Sequence, residues 1–305
     1  MAGVSGQVVY TKQPSAGNCA GRTVDLELWG RLNTALACSD FDASQQTLED
    51  EELAVQIEVK DARRRASLPK LFLDGFELIE VPKAQCMPQD WLENKAEARR
   101  LAEAAAVDLV KVATGCTEAV AFDATWRSSA RGNRDSSLGP GGRGANLSAA
   151  VSRVHADYTR ESALRKISEL VKLGTIPEAF GKQAEGRRAI VNVWRAFGAG
   201  ETVQEAPLCL MHPKSMSIAG TEPFPYSLVH GTRAGINASV AYSDAHEWWH
   251  FPAMTKNEAI LFYNFNEQLE SPMPHGVFHS ALMTPAQDGR PPRLSLEVRV
   301  IARWE

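Results

Sequence analysis

Thiol chemistry is scarce in this chain of 305 residues. The five cysteines, Cys19, Cys38, Cys86, Cys116 and Cys209, are odd in number, far apart and without a Cys-x-x-Cys pair. That excludes a disulfide framework and a zinc-thiolate site, and makes reduced, partly buried cysteines the expectation. An excess of charge of one sign is lacking too. A formal net charge of −4 gives no electrostatic footprint for a polyanion, so no nucleic-acid partner is expected. No apolar run is long enough to span a bilayer, and the opening MAGVSGQVVYTKQPSAGN lacks the basic-then-apolar order of a secretory signal. No membrane partner is therefore expected, and the location reads as cytoplasmic. Histidine is missing from the first half. All seven, His155, His212, His230, His246, His250, His275 and His279, lie from position 155 onward, which confines imidazole chemistry to the second half.

The organisation that is present reads most clearly after residue 70. Residues 1–70 show no strong period and stand as an N-terminal elaboration of unassigned structure. LFLDGFELIEV (71–81) reads as two strand pieces around Asp74 and Gly75. From Pro88 to Thr114 apolar residues recur at three- and four-residue steps among strong helix formers, which predicts a long amphipathic helix ended by Gly115. AVAFDATW (119–126) reads as a strand, and the glycine-rich stretch 127–148 as a functional or disordered loop. No GK[ST] follows it, so a phosphate loop is not indicated.

Beyond the loop, strands are predicted at 150–158, 189–197, 207–211, 238–243, 259–265, 276–283 and 294–304, with a helix over ESALRKISELVKLG. Short strands separated by turns favour a β-sandwich or barrel with helices outside it over a regular alternation of strands and helices. Thr159 is placed to cap the helix, and Thr255 with Glu258 forms a capping-box pattern.

Chemistry concentrates in Val154-His155-Ala156-Asp157-Tyr158. In a strand, His155 and Asp157 share a face, and an imidazole and a carboxylate presented together can hold iron(II) when a second histidine arrives from a distant strand. His-x-Asp alone is weak evidence, because a buried histidine bonded to a nearby aspartate gives the same pattern. His275, in SPMPHGVFHSAL, opens a well-separated strand and is the expected third ligand. His279 has the same parity and is its main competitor. Arg293 and Ser295 begin the last strand on one face, where a guanidinium fork and a hydroxyl could hold the distal carboxylate of 2-oxoglutarate. Arg299 has the same parity but would sit about 20 Å away, with a salt-bridged or solvated role as the plain alternative.

DGFEL (74–78), ATGCTEAVAFDATWR (113–127), VHADYT (154–159), AIVNVWRAF (189–197), WWHFPAMTKNEAILFYNF (248–265), PHGVF (274–278) and PPRLSLEVR (291–299) occur in order. With these stretches the chain resembles the family that includes the fungal gibberellin desaturase and the small-subunit protein of cephamycin 7α-methoxylation. The resemblance implies a mainly β, α+β fold: a double-stranded β-helix (jelly-roll, cupin-like) with flanking helices. It also implies a single oxygenase domain over 1–305, with residues 71–305 matching the family and the β-helix core beginning near 150. His155, Asp157 and His275 fall on the implied ligands of Fe(II), and Arg293 and Ser295 on the 2-oxoglutarate anchor. Oxygen would be consumed, succinate and CO2 released, and hydrogen abstracted from a small specialised metabolite, giving hydroxylation, desaturation or oxidative cyclisation. Ala196 and Phe197 depart from the family by following NVWR where proline is common.

Candidate substrate contacts are Arg127, Tyr158, Asn192, Trp194 and Arg195, with arginine suited to a carboxylate on the substrate. Asn192 and Trp194 share one face of their strand and Arg195 takes the other, so the plain alternative is a core tryptophan flanked by solvated polar groups. His250, in HEWWHFP, is more in keeping with packing than with ligation. Two other functions fit the ligand types: a non-catalytic accessory subunit of a tailoring enzyme, and a zinc-dependent hydrolase. A homo-oligomer is compatible with the sequence.

Overall fold

The computed structural model describes residues 4–12, 52–85, 94–129, 148–181, 187–197, 202–230, 233–268, 275–284 and 290–305. Cys19, Cys38, Cys86, the start of the expected long helix and positions 130–147 of the glycine-rich stretch lie outside the described residues. Cys116 and Cys209 are buried free thiols, as expected.

Two sheets face each other. The larger has the order β3 (Phe76–Glu80), β11 (Glu258–Asn266), β6 (Arg187–Ala196), β13 (Leu294–Trp304), β4 (Glu118–Ser128) and β5 (Ser148–Ala149). The smaller runs β1 (Val4–Thr11), β2 (Glu52–Asp61), β10 (Trp248–His250), β7 (Leu208–Met211) and β12 (His279–Ala281). Its outer strands meet, because Gln7 bridges Met283 and the Val9 amide donates to Ser152 O at 2.8 Å. The pairs are antiparallel except β10 with β2 and β4 with β5, and β8 (Phe224–His230) with β9 (Arg233–Ser239) forms a separate hairpin. The architecture is a double-stranded β-helix with flanking helices, as the resemblance implied.

Alternation of side chains sorts the larger sheet into two faces. On the outer face Val191, Val193, Leu261, Leu296, Val298 and Val300 pack against a helix, α2 (Lys95–Thr114), through its Ala98, Ala102, Ala106, Leu109 and Val110. Small alanines let the helix lie close, and each fully buried valine or leucine contributes about 1.5–3 kcal/mol. The Asn94 side chain accepts from Glu97 N at the start of α2, and Gly115, at φ 64°, closes its end with an amide bond to Lys111 O. The inner face carries Asn192 and Trp194 on β6, Ile260 and Phe262 on β11, and Ser295, Glu297 and Arg299 on β13. A second helix, α3 (Arg160–Lys172), covers Ile190, Phe265 and Ile301 with Ala163, Ile167 and Leu170.

Several expectations are corrected. LFLD is a single helical turn, α1 (Leu71–Asp74), because the Asp74 carboxylate accepts from Lys70 N at 2.8 Å and Gly75 ends the turn at φ 80°. Only FELIE of that stretch is a strand. Residues 150–158 form no continuous strand; they make isolated bridges at Arg153, His155 and Ala156. The strand expected at 238–243 ends at Ser239. Thr255 and Glu258 do bond as a capping box would, with Thr255 N 2.8 Å from Glu258 Oε2, but they close a turn into β11. The sheets also draw on the chain well before position 150: β1 to β4 supply strands to both. Among the described residues no helix is long and apolar enough to cross a membrane.

Candidate metal centre

His155, Asp157 and His279 converge between the sheets, and their ligand atoms all lie within 4.8 Å of one another. Each is less than a tenth exposed. Backbone pairing builds the cluster: His155 N donates to His279 O at 3.2 Å and His279 N to His155 O at 2.9 Å. Asp157 follows immediately, and the chain then turns into α3 at a capping box made by Thr159 and Ser162.

Hydrogen bonds fix what each ligand atom presents. His155 Nδ1 lies 2.8 Å from Arg153 O, and His279 Nδ1 lies 3.1 Å from Val277 O. A carbonyl only accepts, so Nδ1 donates in both rings, which makes Nε2 the nitrogen able to ligate when the ring is neutral. Both Nε2 atoms face Asp157 Oδ1, at 3.4 Å and 3.9 Å. The other carboxylate oxygen, Oδ2, accepts from Asn264 Nδ2 at 2.8 Å and from Arg299 Nε at 2.9 Å. With both rings neutral, two nitrogen lone pairs and a carboxylate oxygen converge, a set that suits a divalent cation. Burial, reinforced by the neighbouring His155, holds His279 down to about 4, so its imidazole is neutral at pH 7. Burial alone would raise the Asp157 carboxyl, but Arg299 and the two histidines outweigh it and hold it well below the usual carboxylate range.

His275, the expected third ligand, is not in this cluster; His279 is. The parity argument assumed one continuous strand through both. Instead Asn266 N donates to His275 O and Val277 N to Tyr263 O, which ties 275–277 to the larger sheet. From Phe278 onward the chain belongs to the smaller sheet, with Met211 N on Phe278 O and His279 opposite Leu210. Because the chain changes sheets between the two histidines, they face different ways. His275 lines a cavity of about 460 Å³ with Ala156, Tyr158, Gly276 and Phe278, residues that alternate with the converging ones.

The inner face of β13 carries a chain of buried charges. Arg299 binds Asp157, Asp123 and Glu297. Glu297 also lies 3.6 Å from Arg127, which stands on β4 opposite Ser295. Burial would raise Glu297, yet Arg299 and then Arg127 bring it below the usual range. Arg293 is different: it is 4% exposed and donates to Ala206 O, its guanidinium stands over the Trp194 ring at 5.6 Å, and its Nε has no partner. Burial presses its pKa down to about 10. The Ser295 hydroxyl, fully buried two residues on, is also unpaired.

Of the expected substrate contacts, Asn192 and Trp194 lie on this inner face, and Arg127 shares its side by pairing with Ser295. Burial pushes the Tyr158 hydroxyl up; the field of Arg299 works against this and that of Asp157 adds to it. Arg195 is corrected: it lies on the outer face, with Nη1 bonded to Gln85 O at 3.0 Å. Asn264 escaped the sequence reading. It is the extra residue of a bulge in β11, between Tyr263 opposite Val191 and Phe265 opposite Ile190, and no periodicity marks such a position.

A double-stranded β-helix with a His-x-Asp and a distant histidine inside defines a metal-binding class of fold. Residues 31–302 match the family model YDMC, described as oxidoreductase/YMDC permease-like domain, and the chain belongs to that family. It is 24% identical over 251 residues to the alpha-ketoglutarate-dependent dioxygenase phiK of a fungal species, covering 80% of this chain and 82% of the relative. The alpha-ketoglutarate-dependent dioxygenase tstK of Talaromyces stipitatus is 24% identical over 200 residues, covering 64% and 66%. The hydroxylase/desaturase efuI of Hormonema carpetanum is 24% identical over 164 residues, covering 50% and 51%. Among solved structures, the iron and alpha-ketoglutarate-dependent endoperoxidase NvfI superposes with a TM-score of 0.69 at 17% identity, over 99% of this chain and 98% of that one.

Proposed function

We propose that the protein is an Fe(II)- and 2-oxoglutarate-dependent oxygenase of a small specialised metabolite, with His155, Asp157 and His279 as the metal ligands. The observation that carries this reading is the convergence of His155 Nε2, Asp157 Oδ1 and His279 Nε2, with both Nδ1 atoms turned to main-chain carbonyls. Two nitrogens and one oxygen suit iron(II), and three protein ligands leave positions open for co-substrate and oxygen. Iron(II) bound there would use 2-oxoglutarate to activate O2, releasing succinate and CO2 and leaving an oxidant able to abstract hydrogen.

The chain's own residues have separable tasks. Asn264 and Arg299 hold Asp157 Oδ2, so the carboxylate offers the metal only Oδ1. Arg293 and Ser295 receive the distal carboxylate of 2-oxoglutarate, because a buried guanidinium with an unmet Nε and a buried unmet hydroxyl suit an anion that the polypeptide does not supply. Arg127 and Tyr158 are the candidates to meet the substrate. A carboxylate on that substrate would compete with Glu297 for Arg127.

The sequence motifs favour the gibberellin desaturase-like branch, and sheets that take strands from both ends of the chain favour one domain. A cytosolic location suits thiols left free at Cys116 and Cys209. Anaerobic titration with Fe(II) and 2-oxoglutarate tests the proposal: a metal-to-ligand charge-transfer absorption is expected in the parent and in His275→Ala, and not in His279→Ala. No absorption in the parent protein would overturn the reading.

A further inference from the structure

We infer that Asn192 is a contact for the co-substrate, its Nδ2 donating to the carboxylate at the metal end of 2-oxoglutarate. The inference rests on the oxygenase reading above. Asn192 is 0% exposed, and neither Nδ2 nor Oδ1 has a hydrogen-bond partner among the described residues. Buried amides are almost always paired, so one left open on the wall of a site faces a group that the polypeptide does not supply.

Strand register locates that group. Asn192 stands between Arg299 on β13 and Phe262 on β11. Each of these flanking residues touches a member of the triad: Arg299 Nη2 lies 2.8 Å from Asp157 Oδ2, and the Phe262 ring centroid lies 4.7 Å from that of His279. Directly opposite residues in a sheet have Cβ atoms about 5 Å apart, so the Asn192 amide is at the level of the metal.

Two residues further along β6, Trp194 stands between Glu297 and Ile260, and the Arg293 guanidinium lies over its ring. A two-residue step is about 7 Å, comparable with the length of a five-carbon dicarboxylate. A ligand with one carboxylate on the Arg293 guanidinium, over Trp194, therefore brings its other end to the level of Asn192. At that end the neighbouring cation is already occupied, since Arg299 is held by three carboxylates. The neutral Nδ2 donor of Asn192 is what the wall offers the second carboxylate, and Oδ1 is left to accept from a water.

The test is anaerobic titration of the Fe(II)-loaded protein with 2-oxoglutarate, followed by the charge-transfer absorption, with thermal melting as the folding control. Asn192→Ala is expected to weaken 2-oxoglutarate binding roughly 10-fold or more and to move the band, because a hydrogen bond to a charged group is lost. Asn192→Asp, of the same size, places a carboxylate against a carboxylate and is expected to weaken it further. If the aspartate variant does not fold, the alanine variant alone decides. Parent-like affinity and band position in Asn192→Ala would overturn the inference, including the case where succinate still forms but substrate is no longer oxidised, which would make Asn192 a substrate contact. A parent protein without the band overturns the oxygenase reading itself, whereas a normal parent with an indifferent Asn192→Ala overturns only this inference.

Discussion

Two arginines, Arg293 just before β13 and Arg299 on its inner face, are both buried and have opposite surroundings. Arg299 is enclosed by Asp123, Asp157 and Glu297, and the carboxylates raise its pKa well above the ordinary value despite burial. Arg293 has a carbonyl and a tryptophan ring, no carboxylate within salt-bridge distance among the described residues, and a depressed pKa. The first is matched by the polypeptide and belongs to the frame that aims Asp157. The second keeps an Nε without a partner among the described residues, which is what its proposed part as a carboxylate anchor requires. A cation's partners, rather than its burial, separate scaffold from binding site.

Replacing each arginine by methionine should split the two roles. Arg299→Met strands three carboxylates and is expected to destabilise the fold by about 3–5 kcal/mol, measured by urea unfolding of the metal-free protein. The loss should depend on pH in a defined direction. In the parent, Asp157 and Glu297 titrate below their ordinary 3.8 and 4.5, so their contribution is present above that range and lost as pH falls through the depressed folded values. Without Arg299, burial raises both, and the variant gains from protonating them as pH falls. The gap between parent and variant should therefore be widest near pH 8 and narrow towards pH 5; a gap that widens on acidification would contradict this assignment. Arg293→Met is expected to leave stability unchanged or slightly higher and to weaken 2-oxoglutarate binding by about 2–3 kcal/mol. If it unfolds the protein instead, the contrast between the arginines is wrong.

Two smaller substitutions sharpen the same contrast at the frame. A Cβ on Gly276 would collide with the main-chain oxygen of Asn264, the residue that steadies Asp157 Oδ2. Gly276→Ala is expected to cost about 1–3 kcal/mol of stability and to lower Fe(II) affinity as well, read by competition with a chelating dye. His275→Gln should change Fe(II) affinity less than 2-fold, since His275 faces the cavity behind the triad. A large loss there would return His275 to the ligand set.

How far the sequence carried depends on whether the chain kept its local period. β4, β6, β11 and β13 are paired on both sides, and their positions follow from pattern to within a residue or two despite the bulge in β11. His155 and Asp157 were legible because their pairing needs only an i, i+2 relation. His279 was confused with His275 because the chain changes sheets between them, and parity does not survive such a crossing. Asn264 was hidden by the bulge that aims it. β1 and β2 were missed because they are separated from each other by 40 residues of sequence and gain their partners only through distant strands such as β10. LFLD has a strand-like composition, and a side chain to main-chain bond from Asp74, which propensity does not register, makes it helical.

The reciprocal amide bonds between His155 and His279 reach beyond ligand placement. Two of the three proposed ligands are held by main-chain pairing that needs no ion, and the third is fastened by Asn264 and Arg299. The placement of the three side chains is thus set by hydrogen bonds within the polypeptide. Loading and stripping then become matters of passage through the protein rather than of refolding, and the two histidine amides should exchange with solvent deuterium equally slowly in the empty and filled states.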